Sequence, residues 1–366
     1  MSDRVLLIAD AQGLVLDRLA QSWRTHWTRS PHDVVYSASH HPYELRRQSD
    51  RSRLVFWIDP LAFSAAPRSS LVPQIVMAHH ATEAEVEPYR SWLASADAIT
   101  TPSLRWQKKW SELTGRNVWR IPATIDTRAF VPRSQSEELR RRLGIADRRF
   151  VIGFSARAKS DAFGRKGIDL FLDVIAEASR VWDDLTVLLI GSGWETTIRR
   201  IESIPCPVIS RVVAATEETA ELYPAMDVFL CTSREEGGPH TILEAMACGV
   251  PVISTDVGHV PELITDGETG FIVRERTAAL FVDAVKVLRT NRELHGRITG
   301  EARRFVEQER DHAQVLPMID YENIYREAET TFRSRGAGVT VTTRLRRAAL
   351  AARYSASRVR RRWRSD

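Results

Sequence analysis

Asp227-Val228-Phe229-Leu230, then Ser233-Arg234-Glu235-Glu236-Gly237-Gly238-Pro239-His240-Thr241-Ile242-Leu243-Glu244-Ala245-Met246-Ala247-Cys248, then Val250-Pro251-Val252-Ile253, reads as strand, loop, helix, strand. The two outer runs are apolar without alternation, as strands buried on both faces of a parallel sheet require. Between them, two glycines and a proline stop the chain and open a helix near 239–241. A strand–helix–strand crossover is the repeating unit of a doubly wound α/β sheet.

The pattern extends in both directions. Upstream, 150–154 reads as a strand, 167–182 as a helix, and 185–190 as a strand ending in Gly191-Ser192-Gly193; Val208-Ile209 and Val212-Val213 form one more apolar patch. Downstream, 270–273 reads as a strand, and helices are expected over 277–289, 291–308 and 317–333. The first half repeats the scheme with apolar runs at 5–9, 34–36, 54–58, 75–77, 98–100 and 118–121, and a helical pattern over 14–27. Pro122 to Pro132 interrupts it, and the charged stretch 134–147 reads as a short helix plus a connection. The expected organisation is an N-terminal Rossmann-like domain over 1–135, a second over 146–316, and a tail over 336–366. Helix 317–335 is expected to cross back onto the first domain. Two such sheets on one linker put a cleft between them, with ligands outside the carboxyl ends of the strands.

Composition narrows the class. The chain has 366 residues, 43% hydrophobic and 27% charged, with three cysteines and no CxxC pair. That count argues against a secreted disulfide scaffold and a structural zinc ribbon, and a reducing compartment fits best. The apolar run 5–9 is too short for a signal-peptide core, and no stretch approaches the roughly 20 apolar residues of a spanning helix. The formal charge is +5, but residues 341–366 hold nine arginines against one acid, so the rest of the chain is mildly acidic. Nucleic-acid binding by the fold as a whole is therefore not indicated. Leu345, Ala348, Ala349, Ala352, Val359 and Trp363 punctuate those arginines. The tail reads equally as a basic amphipathic helix for an anionic membrane surface and as a solvated charged segment.

The first residues to carry chemistry lie in the opening stretch. Free N–H groups at the start of a helix near 240 form an anion site, and Gly237 and Gly238 let a ligand approach the backbone. Glu236 at the loop mouth and Glu244 on the helix suit vicinal hydroxyls of a sugar or ribose, since each carboxylate accepts two hydrogen bonds. Either glutamate alone is equally well explained as a helix-stabilising side chain. Arg157 after the 150–154 strand and Lys166 before the 167–182 helix supply a fork and a point charge suited to a diphosphate. Arg165 and Lys159 share that loop. In the first half, Gly13 in the loop Asp10-Ala11-Gln12-Gly13 and the pair His79-His80 lie at strand ends. A metalloprotease HExxH, a phosphate-loop GKS/GKT, a GxSxG elbow and a DxD are all missing, so no metal is demanded.

The string from Glu236 to Pro251 resembles the Glu-x7-Glu signature of the large retaining nucleotide-sugar glycosyltransferase family four. Ala96 to Ser103, the linker Ile121 to Pro132, Tyr223 to Ser233 and Val257 to Gly270 are similar to further motifs of that family, in the same order. The resemblance implies a GT-B architecture of two facing Rossmann-like domains. It also implies sugar transfer from a nucleotide-diphosphate donor to a glycan or lipid-linked acceptor, without cofactor or metal. By position, Arg157 and Lys166 would hold the diphosphate, Glu236 the sugar hydroxyls and Glu244 the ribose. The amides of Gly237, Gly238, His240 and Thr241, around Pro239, would lie near sugar and phosphate, and His79 or His80 would approach from the first domain. Departures are Gly238-Pro239-His240 where Phe-Gly-Leu is frequent, and His259 where glycine is common. The place of action so implied is the cytoplasm, with peripheral attachment at the inner membrane face through the tail. Two alternatives share the plan: a nucleotide-sugar epimerase and a non-catalytic nucleotide-sugar-binding protein.

Overall fold

The computed structural model describes residues 3–65, 71–82, 85–133, 136–158, 164–195, 198–199, 206–213 and 216–336. The chain divides into two compact units, Met1–Pro122 with Leu316–Asp366, and Ala123–Val315. The division falls at Pro122 rather than at 135 because Ala123, Ile125 and Phe130 are buried in the core of the second unit. Ile125 also donates its N–H to the Arg310 carbonyl at 2.9 Å, within that unit. The arginine-rich 341–366 segment and Lys159 lie outside the described residues.

The first unit holds six parallel strands: β1 (Val5–Ala9), β2 (His32–Tyr36), β3 (Leu54–Trp57), β4 (Gln74–Met77), β5 (Ala98–Thr101) and β6 (Trp119–Arg120). Their order is β2-β1-β3-β4-β5-β6, the flavodoxin-like arrangement with a sixth strand added. In β1, Val5, Leu7 and Ala9 enter one apolar cluster and Leu6 and Ile8 the other, which is why the run shows no polar alternation. On the first face, Trp23 and Trp27 of the Val15–His26 helix stack at 4.4 Å. The helix Tyr321–Gly336 packs on that same face. Tyr321 stacks on Trp27 at 4.8 Å, Trp27 Nε1 donates to the Leu316 carbonyl at 3.1 Å, and Tyr325 Oη lies 2.8 Å from His32 Nε2. Burial of that imidazole pulls the His32 pKa down from 6.5 to about 4.

The second unit holds β7 (Phe150–Ser155), β8 (Leu185–Ile190), β9 (Val208–Arg211), β10 (Val228–Cys231), β11 (Val252–Thr255) and β12 (Phe271–Val273), all parallel. Their order is β12-β11-β10-β7-β8-β9, the dinucleotide-binding Rossmann order. The apolar patch expected through Val213 ends as a strand at Arg211, and Val212 is 69% exposed. Its longest helices are Ile168–Val181, Ala278–Thr290 and Arg292–Glu309, and His240–Ala247 follows β10. Strand order reverses at β7, which has β8 on one side and β10 on the other. The carboxyl ends of β7 and β10, at Ser155 and Cys231, therefore mark the switch point where open α/β sheets bind ligands. Among the described residues no helix is long and apolar enough to cross a membrane.

Candidate active site

Two segments meet at that switch point. The loop after β10 begins with the buried Thr232 and Ser233. The Thr232 hydroxyl donates to the Gly167 carbonyl at 2.8 Å, and the Arg234 N–H donates to the Arg165 carbonyl at 2.8 Å. Gly167 caps the start of the Ile168–Val181 helix with φ 63°, and a Cβ there would stand 1.9 Å from the Thr232 carbonyl oxygen. Only glycine satisfies both the left-handed backbone and that contact. Arg276 closes the arrangement from beyond β12, donating from Nη1 to the carbonyls of Thr232 at 2.8 Å and Ser233 at 2.6 Å.

Glu236 sits on this scaffold with 5% of its surface exposed. A buried carboxylate is costly unless paired and hydrogen-bonded. Lys166 Nζ lies 2.5 Å from Oε1, and the Ser233 hydroxyl donates to the same oxygen at 2.9 Å. Arg165 Nη1 stands 3.3 Å from Oε2. The expected phosphate cation Lys166 and the expected sugar carboxylate Glu236 are thus brought together as an ion pair. Burial first, and then the Glu236 charge, pushes the adjacent Cys231 thiol up, which keeps it a protonated core group.

Glu244 is 2% exposed, one turn into the His240–Ala247 helix. Tyr223 donates its hydroxyl to Oε2 at 2.7 Å. Burial, followed by the Glu244 charge, raises the Tyr223 pKa well above 10, while a hydrogen bond from Ser155 at the end of β7 opposes the shift. The phenol is therefore a permanent donor. Sequence reasoning matched Tyr223 to a motif but gave it no role. Ser233 and Arg276 likewise carried no signal, because a hydroxyl or guanidinium that serves a backbone carbonyl or a buried carboxylate looks like any other surface polar residue.

The helix begins at His240, with Pro239 as its N-cap and no side-chain capping bond. The Ile242 N–H closes the first turn on the Pro239 carbonyl at 3.1 Å, and the positive end of the helix dipole lies at the glycine loop. That loop is packed from behind. A Cβ on Gly238 would stand 2.9 Å from the His259 ring, and Gly258, at φ 52°, would press on the Glu236 carbonyl. His259, where the resembling family favours glycine, fills the space under Gly238.

Arg157 follows β7. The neighbouring amides of Ala156 and Ala158 donate to Ile190 and Ser192 at 3.0 and 2.8 Å, which pins the strand extension beside β8. The Arg157 side chain is exposed and, among the described residues, makes no hydrogen bond or ion pair. Gly191 has its own cause here: a Cβ would stand 2.2 Å from the Ala156 carbonyl. In the first unit, His79 Nε2 lies 3.0 Å from the Ile58 carbonyl at the end of β3, and burial lowers its pKa. His80 is half-buried beside it. The Gly13 N–H donates to Asp17 at 2.8 Å, so this glycine, at φ 79°, shapes the turn that leaves β1.

The fold and the second unit have counterparts among known proteins. The chain is similar to the N-acetyl-alpha-D-glucosaminyl L-malate synthase of Bacillus anthracis, 25% identical over 240 residues, 64% of this chain and 61% of that protein. It is 31% identical over 178 residues to the lipopolysaccharide core biosynthesis mannosyltransferase LpsB of Rhizobium meliloti, 46% of this chain and 49% of that one. The chain thus spans about half to three-fifths of the length of these curated relatives. The fold matches Anabaena HepE, solved with UDP and glucose, at a TM-score of 0.73 with 16% identity, over 88% of this chain and 99% of that one. Residues 149–330 match the family Glycosyl transferases group 1. That segment, which carries Lys166, Glu236 and Glu244, belongs to the group 1 glycosyl transferases.

Proposed function

We propose that this chain transfers a sugar from a nucleotide-diphosphate-sugar to a glycan or lipid-linked glycan, with retention at the anomeric carbon and without a metal ion. The observation that carries the reading is the Lys166–Glu236 pair at the switch point, beside the start of the helix at His240. A diphosphate entering there exchanges with Glu236 for the Lys166 ammonium. The freed carboxylate then accepts from the sugar hydroxyls. Arg157 adds a second cation, and the helix amides a third source of positive potential.

The reaction breaks the bond from C1 to the phosphate oxygen. The acceptor oxygen bonds C1 on the same face, and its proton passes to the departing phosphate. Charge developing on that phosphate is what Lys166 and Arg157 stabilise. Glu244, held by Tyr223, orients the ribose. The relatives' names speak of a mannosyltransferase and of an N-acetyl-alpha-D-glucosaminyl L-malate synthase, and HepE was solved with UDP and glucose; they frame the donor panel.

The test incubates the chain with UDP-glucose, GDP-mannose, ADP-glucose and dTDP-glucose in EDTA. Released nucleoside diphosphate is measured, and the configuration of the released or transferred sugar is read by NMR. Release with retention is expected, and Lys166→Ala should lose roughly 100–1,000-fold in kcat. Inversion, a strict requirement for added Mg2+, or epimerisation of the donor without release would each contradict the reading.

A further inference from the structure

The arrangement around Glu236 leaves one cation unexplained. Resting on the reading just given, we infer that Arg165 is a positioning residue that keeps Glu236 an ionised acceptor once Lys166 has moved onto the donor phosphate. The two carboxylate oxygens are served separately. Oε1 takes Lys166 Nζ at 2.5 Å and the Ser233 hydroxyl at 2.9 Å, and Oε2 takes Arg165 Nη1 at 3.3 Å. The Glu236 side chain is only 6% exposed, whereas those of Lys166 and Arg165 are 20% and 31% exposed. When a diphosphate draws the ammonium away, Oε1 keeps a neutral hydroxyl, and a carboxylate this buried needs another counter-charge to remain an anion.

Arg165 is placed for that. Its backbone carbonyl accepts the Arg234 N–H at 2.8 Å, and the Thr232 hydroxyl bonds the Gly167 carbonyl at 2.8 Å. The segment that carries the guanidinium is thus tied to the loop that carries Glu236, whatever Lys166 does. Arg157, exposed and without a described side-chain partner, is the cation free for phosphate; Arg165 is already committed to the carboxylate.

The consequence is a difference between two ligands. Arg165 matters when Glu236 has a sugar to hold and not when the ligand ends at the diphosphate. Calorimetry on the full chain, with Arg165→Gln, Arg165→Lys and Arg157→Ala beside it, tests this with UDP, GDP, ADP and dTDP and with UDP-glucose, GDP-mannose, ADP-glucose and dTDP-glucose. For the base that the native chain binds, Arg165→Gln should bind the nucleoside diphosphate within about twofold of native. It should lose at least about tenfold for the corresponding nucleotide sugar, and Arg165→Lys should recover most of that loss. Arg157→Ala should weaken both ligands. Equal loss of both ligands in Arg165→Gln would make Arg165 a phosphate ligand, and no loss of either would make it a surface charge; both overturn the inference. If the native chain binds none of the eight ligands, the sugar-transfer reading fails first, and the inference with it.

Discussion

At the scale of single residues, the site is an arrangement of charges that satisfy one another until a ligand competes. Tyr223 shows the logic most simply. Its hydroxyl donates to Glu244 in a fully enclosed setting, and removing it leaves a buried carboxylate short of one donor. Tyr223→Phe should therefore raise the donor KM about 5- to 15-fold, corresponding to the roughly 1–1.5 kcal/mol of a buried hydrogen bond, and lower kcat less. Steady-state kinetics decide it, and an unchanged KM would detach Glu244 from the ribose. Glu236, Glu244 and Lys166 were legible in the sequence, because an ordered string at a strand-to-helix turn constrains residue type at several positions together. Tyr223 and Ser233 were not. What singles them out is a contact across 21 residues in the first case and a side chain folded back over three in the second, and composition records neither.

At the scale of elements, the apolar runs mark all six strands of the first sheet and five of the second, with the sixth, β9, visible only as an apolar patch, because parallel strands buried on both faces leave an uninterrupted signal. The differences sit at a sheet edge and at a helix start. The edge strand β9 carries Ser210 and Arg211 inside it and the exposed Val212 just beyond, so its apolar residues do not delimit it. The helix expected from 317 begins at Tyr321, because Leu316–Met318 is a separate 3-10 turn. The Ile168–Val181 helix is the element on which the site turns, and Gly167 sets its origin. Gly167→Ala combines an unfavourable positive φ with a clash on the Thr232 carbonyl. It should lower the melting temperature and, by shifting Lys166 away from Glu236, cost at least about tenfold in transfer activity. A variant as stable and active as native would show that the two loops are not held as one.

At the scale of the whole molecule, the pH dependence of stability and the charge of the tail lead to two predictions. His32 is neutral in the folded first unit and titrates near 4, against 6.5 when unfolded. Below about pH 6.5 the unfolded chain binds a proton that the native chain refuses until about pH 4, so stability is lost as pH falls through that window. About 2 kcal/mol should disappear between pH 7 and pH 5. Urea unfolding at the two values measures it, and His32→Gln should flatten the dependence; an equally steep loss in that variant would assign it to other groups. For the 341–366 segment, the expectation is electrostatic. Sedimentation with vesicles containing anionic lipid should retain the full chain at low salt and release it at high salt, with a chain ending at residue 336 staying free. Equal binding by both chains would remove the arginines from any membrane role.

The most direct measurement is a crystal structure of the chain with an intact nucleotide sugar. The diphosphate should lie on Arg157 and Lys166 at the start of the His240–Ala247 helix, with Lys166 withdrawn from Glu236, the sugar hydroxyls on Glu236 and the ribose on Glu244. A diphosphate bound elsewhere, with the Lys166–Glu236 ion pair still closed, would contradict the assignment of this site.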